Sequence, residues 1–175
     1  MDDRLLKLIR SEAEEIFRFC LGAVDPYEAV KRFVHMEGDN LILGMEDQDR
    51  VELDLAGYDR ILLVGGGKAT APMARAIEEV LGERINKGII NVKYGFTDAL
   101  DFTEIIEAGH PVPDQSGVEG TKRILAVLRG AGEKDLVFSL ISGGGSALLP
   151  CPAGDITLSE KQELTRVLLA CGASI

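Results

Sequence analysis

A chain of 175 residues, 46% of them apolar, is long enough to bury one core and short enough to be one domain. Its charged residues, 27% of the chain, are dispersed and sum to −10; this is a globular profile whose field repels nucleic acid and anionic lipid, so neither is expected as a partner. Cys20, Cys151 and Cys171 are too sparse for a disulfide framework and suit a reducing cytoplasm, and His35 and His110 form no Cys/His cluster with zinc spacing.

The opening MDDRLLKLIR lacks the order of a signal peptide. Leu6, Ile9, Ala13, Ile16, Phe17 and Cys20 recur at helical spacing with Arg and Glu between them, which predicts an amphipathic helix. Asp25-Pro26 begins a second helix running to about Val34, since proline fits a first helical turn. Residues 38–57 carry NLILGM and VELDL and read as short strands or a loop.

The pattern then changes. Ile61 to Val64 is a short apolar run ending in three glycines, and the next helix has Ala69, Met73, Ala76, Ile77, Val80 and Leu81 on one face. Gly88 to Val92 is a second apolar run and Glu104 to Ala108 a third. A helix follows from about Gly117 to Arg129, with Ser116 and Glu119 at capping-box spacing. Leu136 to Ile141 is the most apolar candidate strand, expected to be the most buried, and again ends in glycines. A last helix runs from near Ser159 to about Ala170, with Ser159 and Gln162 repeating the capping-box spacing and Gly172 suited to its C-terminal cap. The uncharged stretch from Leu136 to Gly154 is interrupted by Gly143, Gly144, Gly145, Pro150 and Pro152, which argues against a transmembrane helix.

Strands that alternate with helices and are continuously apolar imply an α/β fold, a parallel sheet with helices on both faces. Such sheets bind ligands beyond the C-terminal ends of their strands, where both glycine clusters fall. The chain ends on an apolar residue, Ile175, shortly after a helix, so residues 1–175 read as one incomplete α/β domain.

Three segments could carry chemistry. In Val64-Gly65-Gly66-Gly67-Lys68-Ala69-Thr70, glycines after a strand let an anion approach backbone N–H groups, the following helix adds its positive end, and Lys68 adds a full charge. It is not a Walker A loop, because position 62 is Leu, nor a dinucleotide fingerprint, because position 70 is Thr. A tight turn with a solvated lysine is the plainer alternative. Pro72 places the helix start near Thr70 and leaves Lys68 in the loop before it.

In the second segment, Ser142-Gly143-Gly144-Gly145-Ser146, consecutive glycines cost about 0.5–1 kcal/mol each relative to Ala in regular structure, which suggests a close approach. Ser146 does not sit in a nucleophile elbow, since Leu148 replaces the last glycine, so anion binding is favoured over nucleophilic catalysis. The third segment, Gly109-His110-Pro111-Val112-Pro113-Asp114, is a stiff loop with an imidazole and a carboxylate. His110 could supply a base or orient a hydroxyl; equally, His110 could anchor the loop while Asp114 or Ser116 caps the next helix.

These segments, in this order, resemble the glycerate 2-kinase family whose second domain is called MOFRL. The matching stretches are VGGGKATAPMARAIEEVLG (64–82), EAGHPVPDQSG (107–117), DLVFSLISGGGSALLPCPAGDITL (135–158) and LTRVLLACGASI (164–175). The resemblance implies a Rossmann-like α/β domain joined to a smaller second domain, with the active site between them. It also implies transfer of a phosphoryl group from ATP, with Mg2+ bridging its phosphates, to the 2-hydroxyl of D-glycerate. Lys68 matches the family's catalytic lysine and would meet the transferring phosphoryl group or the glycerate carboxylate. Gly65, Gly66, Gly67 and the Ser142–Ser146 turn would cradle phosphate, with His110 and Asp114 orienting substrate. The family's chains are longer, so this piece alone is expected to be inactive. A hydroxypyruvate reductase, a label some relatives carry, and a non-catalytic nucleotide- or sugar-phosphate-binding module are the alternatives. A homo-oligomer stays open.

Overall fold

The computed structural model describes residues 3–45 and 48–173; Ser174 and Ile175, the end of the last family-like stretch, lie outside the described residues. Helix α1 (Asp3–Ala23) forms as its periodicity predicts, but it buries no residue, and Leu5, Leu8, Ile9, Ile16 and Phe17 stay exposed. Helix α2 (Pro26–Phe33) starts where Asp25 accepts a hydrogen bond from the N–H of Glu28. The ambiguous stretch that follows is an antiparallel sheet of β1 (Val34–Glu37), β2 (Asn40–Met45) and β3 (Gln48–Asp54). Leu41 and Ile42 of β2 are buried.

The main sheet has four parallel strands in the order β6 (Thr103–Ala108), β5 (Ile85–Lys93), β4 (Arg60–Gly66), β7 (Asp135–Ile141). Successive strand residues point to opposite faces, and the two faces are packed differently. Leu63, Ile90 and Leu140 join Ala71, Ala74, Ile77 and Leu81 of α3 (Thr70–Leu81) in one cluster. Their neighbours Val64 and Ile89 meet Ile124 of α4 (Gln115–Arg129) on the other side. Burying such a side chain stabilises by about 1.5–3 kcal/mol, which makes the run Ile61 to Val64, buried throughout, the anchor of the domain.

Strand β7, by contrast, is not the most buried strand. It lies at the sheet edge, where α4 covers β5 and β6 instead, and Val137 and Ile141 are 37% and 56% exposed. Neither expected capping box forms at the residues the spacing indicates. Asp114, not Ser116, caps α4 by accepting from the N–H of Gly117 at 2.9 Å. After the short α5 (Gly145–Leu148), Thr157 and Glu160 form the box that opens α6 (Leu158–Ala170), while Gln162 donates to the Pro113 carbonyl at 2.8 Å. Both caps are extended residues just outside the helix, the conformation a cap requires. At the other end of α6, Gly172 takes φ +67 and the N–H of Ala173 reaches back to the Leu168 carbonyl, closing the helix as expected.

Chain direction creates the site. From β4 the chain runs through α3 to β5 and on to β6, then returns by α4 to the opposite side of β4 as β7. The order reverses between β4 and β7, and a crevice opens beyond the C-terminal ends of such a pair.

Candidate active site

Strands β4 and β7 run side by side with Gly66 opposite Ile141, so the two glycine turns leave the sheet at the same level. Hydrogen bonds then sew them together. The N–H of Ser142 donates to the Gly66 carbonyl at 3.3 Å, and the N–H of Lys68 donates to the Gly143 carbonyl at 2.9 Å. The Ser142 hydroxyl accepts from the N–H of Ala69 at 2.9 Å and lies 3.2 Å from the hydroxyl of Thr70. Ser142 therefore clasps the first turn of α3, which begins at Thr70 with Pro72 in that turn, as expected. Each such bond contributes about 0.5–1.5 kcal/mol, so the set holds the two turns as one unit.

The glycines fall into two groups. At Gly65 a side chain would meet the Leu140 carbonyl, at Gly66 the Leu149 side chain, and at Gly67, with φ +149, the Ser142 hydroxyl. These three let protein elements approach one another. Gly143 differs: it is exposed, and the nearest atom to an added methyl is Lys68 Cε at 3.8 Å. Among the described residues, no protein acceptor takes the N–H groups of Gly143, Gly144, Gly145 or Ser146. That row of free donors can bind an anion.

Lys68 is exposed, and its stem lies against this second turn. Among the described residues no carboxylate pairs with it. His110 reaches the same turn from the β6–α4 loop, its Cδ2 and Nε2 each 2.8 Å from where a Gly144 side chain would begin. Burial and the charges of Lys68 and Lys93 push its pKa below the ordinary imidazole value, so the ring is neutral at pH 7. Neither ring nitrogen has a hydrogen-bond partner among the described residues. Asp114 is differently placed. Burial pushes its pKa up, but this is outweighed by the N–H groups of Gly117 and Gly109 and by the Tyr94 hydroxyl, which donates at 2.8 Å, so it stays ionised. Its carboxylate is taken up in capping α4 and fixing the loop that carries His110.

One residue was not singled out from the sequence. Asn91, wholly buried in β5, accepts the N–H of Gly67 on its carbonyl at 3.1 Å. Its side-chain amide donates to the Leu148 carbonyl at 2.7 Å, just past the second turn, and to the Gly117 carbonyl at 3.1 Å. Asn91 thus holds both turns from below. The signal was a lone amide inside the apolar run Ile89-Ile90-Asn91-Val92.

The family model "Domain of unknown function (DUF4147)" matches residues 12–175. The chain belongs to the DUF4147 family. Among its relatives, the DUF4147 chain is 48% identical over 118 residues to a D-glycerate 2-kinase of Thermotoga maritima, which is 67% of this chain and 28% of that protein. The crystal structure of a glycerate kinase from Thermotoga maritima is similar with a TM-score of 0.70 and 38% identity, covering 96% of this chain and 36% of that one. A protein of Agrobacterium vitis with a provisional hydroxypyruvate reductase name is 43% identical over 116 residues, 66% of this chain and 26% of its own length. The DUF4147 chain therefore spans about a third or less of the length of the proteins it matches.

Proposed function

We propose that the intact protein is a kinase that moves a phosphoryl group from ATP to the 2-hydroxyl of D-glycerate. The observation that carries this reading is the joint of Lys68 to Gly143, which sets a cation beside a row of N–H groups, none of them paired among the described residues. Phosphoryl transfer depends mainly on positioning and on stabilising charge spread over the phosphoryl oxygens. The N–H groups of Gly143 to Ser146 bind those oxygens, and Lys68 meets the transferring group or the glycerate carboxylate. This local cationic patch answers the −10 net charge of the chain, which otherwise repels ATP and glycerate alike.

Gly65, Gly66 and Gly67 support the cradle by letting its elements close up, and the Ser142 hydroxyl supports it as a clasp. Mg2+ bound to the phosphates of ATP would supply charge neutralisation there. No group of three or more His, Cys, Asp or Glu among the described residues gathers for a metal, so none of these carboxylates is assigned to it. The remaining wall of the site falls to the second, MOFRL-type domain that the resemblance implies. The three cysteines are free and exposed, which suits a reducing cytoplasm, and among the described residues no helix is long and apolar enough to cross a membrane.

The reductase name that some relatives carry is less well supported. A dinucleotide turn needs glycine where Thr70 stands, and Thr70 is wholly buried against Ser142. A single pair of assays separates the two activities. ADP release that depends on D-glycerate supports the kinase; NADH oxidation by hydroxypyruvate without ATP supports the reductase and overturns the kinase reading.

A further inference from the structure

We infer that His110 accepts the proton of the glycerate hydroxyl as that oxygen attacks the γ-phosphorus of ATP. The inference rests on the kinase reading and adds to it the group that takes the proton.

Place comes first. The imidazole edge bearing Nε2 abuts Gly144 from one side, and the Lys68 stem passes 3.5 Å from the same point. One turn is therefore flanked by an ammonium suited to phosphate and by an imidazole suited to a proton. Gly144 takes φ +94 and has no side chain to fill the space the ring occupies.

Availability comes second. The polar side chains nearby are largely taken by one another. Ser142 is bound to Ala69 and Thr70, and Asp114 to the N–H groups of Gly117 and Gly109 and to Tyr94, which also reaches Ser116. Among the described residues, neither ring nitrogen of His110 has a partner. Ser146 is exposed, but a hydroxyl is not a base at neutral pH.

Charge comes third. The ionisable groups around His110 are Lys68 from the β4–α3 turn, Lys93 and Tyr94 at the end of β5, and Asp114 in its own loop. The glycine turn against the ring carries no titratable side chain. Burial and the two lysines keep the ring unprotonated, the state a proton acceptor needs.

The step balances as follows. The glycerate O–H bond breaks and its proton passes to Nε2 of His110. The oxygen forms a bond to the γ-phosphorus, the bond from that phosphorus to the β,γ-bridging oxygen breaks, and ADP leaves with the electron pair. The imidazolium then releases its proton to water.

The test compares the intact wild-type protein with His110→Gln and His110→Ala by D-glycerate-dependent ADP release across pH. His110→Gln is expected to lower kcat about a hundredfold or more while KM for ATP and for D-glycerate changes less than about threefold. It also removes the fall of kcat on acidification, and added imidazole restores part of the His110→Ala rate. A near-normal kcat for His110→Gln, or an unchanged acidic limb in it, overturns the inference and leaves the kinase reading standing. No glycerate-dependent ADP release by the wild type overturns both.

Discussion

The backbone N–H of Lys68 donates to the carbonyl of Gly143 at 2.9 Å, so the residue that carries the site's charge also joins its two turns. Because the bond uses the main chain, the side chain can be removed without parting them. Lys68→Ala is therefore expected to lower kcat at least about a hundredfold, the scale of losing a preorganised charge partner. Its melting temperature should stay within about 2 °C, as for most exposed substitutions. Coupled ADP-release assays and thermal melts check both halves, and near-normal turnover would remove Lys68 from the mechanism.

Gly67 and Gly22 make a contrasting pair. At Gly67 the φ of +149 and the adjacent Ser142 hydroxyl leave no room for a methyl. Gly67→Ala is expected to cost roughly 2–4 kcal/mol through backbone strain and a parted clasp, lowering the melting temperature by about 5–12 °C. Gly22 lies in α1 with nothing within 4 Å. Gly22→Ala should leave stability unchanged or raise it by up to about 1 kcal/mol. Equal melting temperatures for the two variants would contradict this reading of the turn.

The sequence made the strand and helix alternation legible because the apolar runs at Ile61 and Gly88 and the helical faces after them are local patterns. Pro72 placed the start of α3 correctly, since a proline permits few positions in a helix. Sheet order was not legible: that β7 is an edge strand depends on where the chain returns after β6, which no local pattern encodes. Its apolar run was therefore misread as the most buried strand. The glycine pattern showed close approach but not what approaches, and for Gly65 and Gly66 it is Leu140 and Leu149. His110 and Asp114 sit in one stiff loop, yet only distances separate the carboxylate that caps α4 from the imidazole, which has no partner among the described residues.

Asn91 is expected to act on placement of the turns. Asn91→Ala leaves the Leu148 carbonyl without its donor, while the Gly117 carbonyl keeps the Thr121 hydroxyl, at a cost of about 1–3 kcal/mol. Asn91→Asp should be worse, because it points a carboxylate at those carbonyls in a buried site. Urea unfolding of the two variants gives the ranking, and an Asn91→Asp protein as stable as wild type would rule out the amide as the tie.

Acid sensitivity has a defined sign. The pKa of His110 is lowered in the folded protein, so on acidification the unfolded chain binds the proton first. The stability from the neutral ring is present above the ordinary value of about 6.5 and is lost as pH falls through the lower folded value. Asp135 follows the same sign further down. The Arg60 guanidinium and the N–H of Gly132 hold its carboxyl below the usual range, so its contribution fades as pH drops beneath about 4. Melting temperatures from pH 7 to pH 3 should fall in both windows. His110→Gln should flatten the upper window and Asp135→Asn the lower, and a variant that flattens neither contradicts its assignment.

Phosphorus NMR of the intact protein incubated with ATP, Mg2+ and D-glycerate tests the central claim most directly. The γ-phosphate signal of ATP should decline as 2-phosphoglycerate appears, and Lys68→Ala should abolish that exchange. A spectrum that does not change, or one in which 3-phosphoglycerate accumulates instead, would contradict the account.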